Sequence, residues 1–211
     1  MTHPFPAQQP AQTAQPLALA VFFDFETTGL DPLTASPLEL AACMVRLDAG
    51  LTVVAREFDT VWALPDTFAK ECDAKVVDMH TRNGLFAACL ERGWHTEQVS
   101  ALFAQWLDVC FDTLGFANTL TEAVKAGLVH LYLAGRNVER FDRILLERLF
   151  PTLKPLFHYR VLDVQFARMA GRALGTPERF DVAGSSHRAI DDVYADIATV
   201  RKVFAVLKES A

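Results

Sequence analysis

The chain has few of the features that would take it into a membrane or hold it together covalently. No apolar run approaches the roughly 20 residues that a membrane span requires. The longest strongly apolar opening, Leu17 to Phe23, ends in Asp24, and no Lys or Arg precedes it. That pattern argues against a secretory signal. Only four cysteines are present, Cys43, Cys72, Cys89 and Cys110, separated by 29, 17 and 21 positions. With no CxxC pair and no histidine at zinc spacing, neither a disulfide framework nor a zinc site is indicated. They read as reduced thiols in a cytoplasmic protein, at least three of them as small core residues. Positive charge is short as well: 20 Lys and Arg stand against 26 Asp and Glu, a net charge of −6. Taken as a sum, this opposes a polyanionic partner, because nonspecific nucleic-acid binding is mostly phosphate neutralisation.

The distribution changes that reading. Between Arg136 and Arg172 seven Arg and one Lys outnumber Glu139, Asp142, Glu147 and Asp163, a local +4 that leaves −10 elsewhere. The basic excess is gathered in one region, which fits a phosphate-following surface or a solvated helical face. Apolar residues at 51% and charged residues at 22% place the chain among ordinary globular proteins, with Phe unusually frequent at 16. At 211 residues it is large enough for one core that buries about 70% of the unfolded surface.

Residues 1–16 hold four Pro and four Gln and little to bury, so they read as a flexible leader, with a single domain over 17–211. Leu17 to Phe25 is nearly continuous in apolar residues, as in a strand buried on both faces. Leu38 to Leu47 and Leu51 to Val61 are two further extended segments joined by Asp48-Ala49-Gly50, and the three predict an antiparallel meander. The following seventy residues read as mainly helical, most clearly Glu97 to Phe111, where Val99, Leu102, Phe103, Trp106 and Cys110 recur at three and four. Asp112 to Gly127 carries no readable pattern. Leu128 to Ala134 returns to a buried strand, followed by a helix with Val138, Phe141, Leu145 and Leu149 on one face, Asn137 as its N-cap and Pro151 at its end. A short extended piece near Val161 leads to a helix through Leu174, and a last helix spans about Arg188 to Leu207. Strands first, then strands interleaved with helices, predict an α/β fold with a mixed sheet under helical cover.

Chemistry concentrates at three places. Asp24 and Glu26, in VFFDFETTGL, are two apart on one strand and so share a face. Two anions at that distance repel unless a cation lies between them, which points to a metal site of oxygen ligands; a strand end reaching solvent would also produce the pair. Asp142 falls in the first turn of the helix after the second buried strand, and Asp192 in the first turn of the last helix. Singly, each acid there also suits the helix dipole. His187 stands five positions before Asp192, in HRAIDD.

Taken jointly, DFETTG, NVERFD after a strand and HRAIDD opening the last helix resemble the DEDDh, or DnaQ-like, 3′-to-5′ exonucleases of the ribonuclease H-like fold, over about Leu17 to Leu207. Within that group GLDP at Gly29 to Pro32, LELA at Leu38 to Ala41, HTRNGL at His80 to Leu85 and FHYRVLDV at Phe157 to Val164 are similar to oligoribonuclease. Three positions depart: Lys75 stands where that family has Trp, and Gln165-Phe166 where it has Ser-Thr. The resemblance implies a mixed sheet of about five strands, an antiparallel meander followed by parallel strands, flanked by helices.

It further implies two divalent ions, Mg²⁺ or Mn²⁺. Asp24 would bridge them, Glu26 and Asp192 would complete one site, and Asp142 would help to hold the other. His187 would be the general base for the attacking water, and the products nucleoside 5′-monophosphates. Leu30 and His80 are candidate contacts to the terminal base, with a core leucine and a satisfied histidine as the plain readings, and Thr27 and Asn137 are further substrate-contact candidates. Glu39 is a weaker candidate for support behind the site. The implied partner is a single-stranded RNA or DNA 3′ end, RNA being favoured, with no membrane, and a homodimer is admitted. A proofreading-type DNA exonuclease is the alternative enzyme. A noncatalytic nucleic-acid-binding or polymerase-associated domain is the alternative outside catalysis, and the presence of all four acids and the histidine counts against it.

Overall fold

The computed structural model describes residues 15–176, 180 and 186–209. Residues 1–14 of the expected leader lie outside the described residues. Leu17–Thr27 (β1), Pro37–Arg46 (β2), Phe58–Val61 (β3), Val129–Gly135 (β4) and Phe157–Asp163 (β5) form one sheet in the order β3-β2-β1-β4-β5. β1 pairs antiparallel with β2 and β2 with β3, while β4 runs parallel to β1 and to β5. This is the mixed sheet, an antiparallel meander followed by parallel strands, that the family resemblance implies.

The described helices are α1 (Phe68–Glu71), α2 (Ala74–Arg82), α3 (Leu85–Arg92), α4 (Thr96–Asp112), α5 (Leu120–Lys125), α6 (Asp142–Leu149), α7 (Gln165–Ala173) and α8 (Ala189–Glu209). Alternation along β1 decides what each face meets. Leu19, Val21, Phe23 and Phe25 join one buried cluster with Phe103 and Leu107 of α4. Ala20 and Phe22 join a second with Val193, Ile197 and Val200 of α8. Phe22 and Phe23 are fully enclosed, so truncating either to Ala costs about 3–5 kcal/mol. Asp24 and Glu26 continue the even-numbered series, which directs them to the α8 side just where apolar cover ends.

Three expectations need correction. The extended segment from Leu51 is not a continuous strand: apart from a bridge between Val53 and Val45, pairing resumes only at Phe58. Asp48 Oδ1 accepts the amides of Gly50 and Thr52, at 3.1 and 3.0 Å, which would otherwise extend a ladder, and Leu51 is left-handed at φ 48°. Asn137 does not cap a helix, because α6 begins at Asp142; Asn137 is itself left-handed, at φ 56°, inside a turn. The unreadable stretch contains α5, whose Thr119 and Glu122 form a reciprocal capping box. The four cysteines are free thiols, with Cys43, Cys89 and Cys110 buried as expected. No described helix is long and apolar enough to cross a membrane.

Candidate active site

The site forms where β4 parts from β1. Their parallel ladder ends at Phe22 and Ala134. A Cβ on Gly135 would lie 2.8 Å from the Phe23 carbonyl oxygen, so only glycine permits this last close approach. The chain then turns through Asn137, whose carbonyl accepts the amides of Arg140 and Phe141 at 3.0 and 3.2 Å, and delivers Asp142 to the edge of β1 that β4 has vacated. There Asp142 Oδ1 accepts the Phe25 amide at 3.1 Å, taking the place of a neighbouring strand. The carboxylate is thereby fixed beside β1, where its charge raises the pKa of both Asp24 and Glu26.

α8 supplies the opposite wall. Asp192 and Asp196, one turn apart, are 8% and 4% exposed. Arg136 Nη2 lies 3.0 Å from Asp196 Oδ1 and 3.7 Å from Asp192 Oδ1. His187 precedes α8 in a left-handed conformation at φ 53° and is exposed. Ligand atoms of Glu26, His187 and Asp192 all fall within 4.8 Å of one another.

The electrostatics of this cluster suit a cation. Burial, then Asp142, Glu26, Asp192 and Asp196 in that order, hold the Asp24 carboxyl well above its usual range. Burial, followed by the charges of Asp192, Glu39 and Asp142, pushes Glu26 up to about 8, with Arg188 opposing. Asp142 is pushed up to about 7 by burial, against the Phe25 amide. Asp196 is raised chiefly by burial, with Arg136 opposing. Carboxyls whose ionisation is opposed first by burial and then by one another's charge form a hard oxygen donor set, and a divalent cation would favour the ionised form of all of them.

Of the substrate-contact candidates, Leu30 is 90% exposed, which rules out the core reading. Its loop is held in place: Thr27 Oγ1 donates to the Gly29 carbonyl at 2.6 Å, Ser36 N to Thr28 Oγ1 at 2.9 Å, and Arg148 Nη1 to the Leu33 carbonyl at 3.3 Å. His80 is placed differently from an open contact. It is fully buried, its Nε2 3.6 Å from Glu26 Oε2 and its ring edge-on to Phe86, because it lies on the inward face of α2. Burial lowers its pKa, with the backbone of Thr27 opposing. The Thr27 side chain is engaged with its own loop, and the Asn137 amide donates to Asp163 Oδ1 at 3.3 Å.

Sequence reasoning missed Arg136 and Asp196. Their signal was an acid one turn beyond Asp192, inside the buried stripe of Val193, Ile197 and Val200. It also overstated the free charge of the 136 to 172 region. Arg136 serves Asp192 and Asp196, Arg143 serves Glu139, Glu147 and the Tyr159 carbonyl, and Arg148 serves the Leu33 loop.

No family model matches the chain. Its fold is shared with exonuclease I, one structure of which superposes with a TM-score of 0.61 at 16% identity, over 88% of this chain and 40% of that one. Exonuclease I of E. coli in complex with a dT13 oligonucleotide gives 0.60 at 17% identity, over 88% and 41%. The chain thus spans about 40% of the length of these structural neighbours. Curated relatives align over 75% to 91% of their own length. The oligoribonuclease of Xylella fastidiosa is 30% identical over 184 residues, 86% of this chain and 85% of the relative. That of Aliivibrio fischeri is 28% identical over 183 residues, 86% and 91%. The chain belongs to the oligoribonuclease family of DnaQ-like exonucleases and is a 3′-to-5′ exonuclease acting on nucleic acid.

Proposed function

We propose that the chain hydrolyses single-stranded or short oligonucleotides from the 3′ end, RNA in preference to DNA, to nucleoside 5′-monophosphates. The observation that carries this reading is the meeting of Asp24, Glu26, Asp142 and Asp192 with His187 at the end of β1, delivered by β1, α6 and the start of α8. Asp24, Glu26, Asp142 and Asp192 would hold two divalent ions, Mg²⁺ or Mn²⁺. Such ions supply Lewis-acid activation of water and neutralise charge on the leaving oxygen. His187, exposed beside Glu26 and Asp192, takes the proton from the attacking water. Leu30 stands on its pinned loop as an apolar wedge for the terminal base. Free thiols support a reducing, cytoplasmic setting.

Substrate length follows from two departures. Lys75 lies exposed on α2, where an aromatic ring would offer a stacking surface worth about 1–3 kcal/mol per base. Gln165 and Phe166 open α7 without small hydroxyls, and Phe166 is 77% exposed. Without a cap, strands of several nucleotides are degraded at least as well as dinucleotides. Measured kcat/KM on 5′-phosphorylated RNA and DNA from two to ten nucleotides tests this. A sharp maximum at the dinucleotide overturns the length reading, and faster turnover of DNA favours the proofreading-type alternative, whose support is the fold shared with a neighbour bound to DNA. Full activity in excess EDTA would defeat the metal reading.

A further inference from the structure

His187 has an unusual support. A non-glycine residue in the left-handed region persists only where its surroundings fix it, and His187 sits there at φ 53° with its side chain on the exposed side of the site. The backbone that carries the imidazole is tied on two sides. Asn83, at the C-terminal end of α2, donates its side-chain amide to the His187 carbonyl oxygen, and to that of Ser186 at 3.4 Å. Glu39 of β2, fully buried, accepts Arg188 Nε at 2.9 and 3.1 Å and the Ala189 amide at 2.8 Å. Arg188 Nη2 closes the same fork on Glu39. One carboxylate thus satisfies both the side chain next to His187 and the first amide of α8, and a charge-assisted fork of this kind fixes orientation as well as distance.

We propose that Glu39 and Asn83 are positioning residues that hold His187 in its reactive orientation. Asn83 accounts for part of the HTRNGL segment and Glu39 for part of LELA, neither of which the metal cluster uses directly. The role rests on the reading of His187 as the general base. Glu39 also faces Glu26 across the β1–β2 ladder and raises its pKa, so it has a second route by which to affect catalysis, and the experiment must separate the two.

A double-mutant cycle does so. At saturating Mg²⁺ and oligonucleotide, Glu39→Gln should lower kcat about 10- to 100-fold with KM changed less than about threefold, the scale of a group misplaced by about 1 Å. In a His187→Ala background the same substitution should cost less than about twofold, since the group it positions is gone. Asn83→Ala, a substitution at a half-buried helix end that leaves the core intact, should show the same pattern at about 5- to 10-fold and carries the test if Glu39→Gln does not fold. Equal losses in both backgrounds overturn the positioning role while leaving His187 as the base. No loss from either variant in the parent likewise overturns it. A His187→Ala loss below tenfold defeats the base reading, and the positioning role with it.

Discussion

On the strand side of the site, Asp24, Glu26 and Asp142 face one another, and among the described residues no Lys or Arg forms an ion pair with any of them. On the helix side, Asp192 and Asp196 share Arg136, and Glu39 is matched by Arg188. Both sides are buried, so the difference lies in counter-charge and not in solvent access. The acids of the helix side are each tied to an arginine of the protein itself. Burial and mutual charge oppose ionisation of the unmatched ones, and a cation from outside would relieve that cost. His187 and Asp192 stand at the boundary, close enough to Glu26 to work with the strand side.

Breaking the strand side should have the largest effect. Asp24→Asn removes charge but little volume, and is expected to cut kcat by several orders of magnitude. In EDTA the same variant should melt about 2–4 °C higher than the parent, because repulsion is relieved. Calorimetry with and without Mg²⁺ reads both states, and a lower melting point without metal would contradict the unmatched-charge account. His187→Ala comes next, with a loss of about 10²- to 10⁴-fold in rate while Mg²⁺ still raises the melting temperature. If the acid limb of the pH–rate profile is the same in that variant as in the parent, His187 is not the base.

The pH dependence of the metal-free protein sharpens the comparison further. Glu26 and Asp142 have folded pKa values of about 8 and about 7, raised from 4.5 and 3.8 by burial first. Raised values mean that their stabilising contribution is complete below the unfolded values and is lost as pH rises through the folded ones. In EDTA, stability should therefore fall between about pH 3.8 and 8, by an amount on the order of a few kcal/mol. Saturating Mg²⁺ should flatten the fall. A metal-free protein that becomes more stable across that window would show that the carboxyls are paired after all. The smallest effect is expected on the helix side: Asp196→Asn weakens the tie to Arg136 and should destabilise the protein by about 1–2 kcal/mol, with activity reduced about tenfold or less. A loss as large as that of Asp24→Asn would place Asp196 among the ligands.

The sequence makes the four candidate acids legible because each lies at the end of a strongly patterned element. Asp24 and Glu26 close an apolar strand, while Asp142 and Asp192 each fall in the first turn of an apolar-striped helix. The antiparallel meander follows from the same patterns, as do the free thiols, while the parallel strands come with the family resemblance. What escapes the sequence is long-range pairing. Asn83 and His187 are 104 positions apart, and Glu39 and Ala189 are 150 apart. No local period reports such partners. Asn137 misleads for a related reason: its type suits both a helix cap and a left-handed turn, and the close approach of Gly135 to Phe23 favours the turn. The inward placement of His80 depends on which face of a short helix meets Phe86, a packing choice that spacing alone leaves open.

The amide of Phe25 has a further use. It donates to Asp142 at 3.1 Å from a strand edge with no pairing strand, and it lies between Asp24 and Glu26 in the chain. Its proton should therefore register the charge on Asp142 directly, moving downfield in an ¹⁵N-correlated spectrum as that carboxylate ionises. A titration in EDTA, followed by one with Mg²⁺, would turn this single resonance into a gauge of when the cluster loses its protons, read without substrate or turnover.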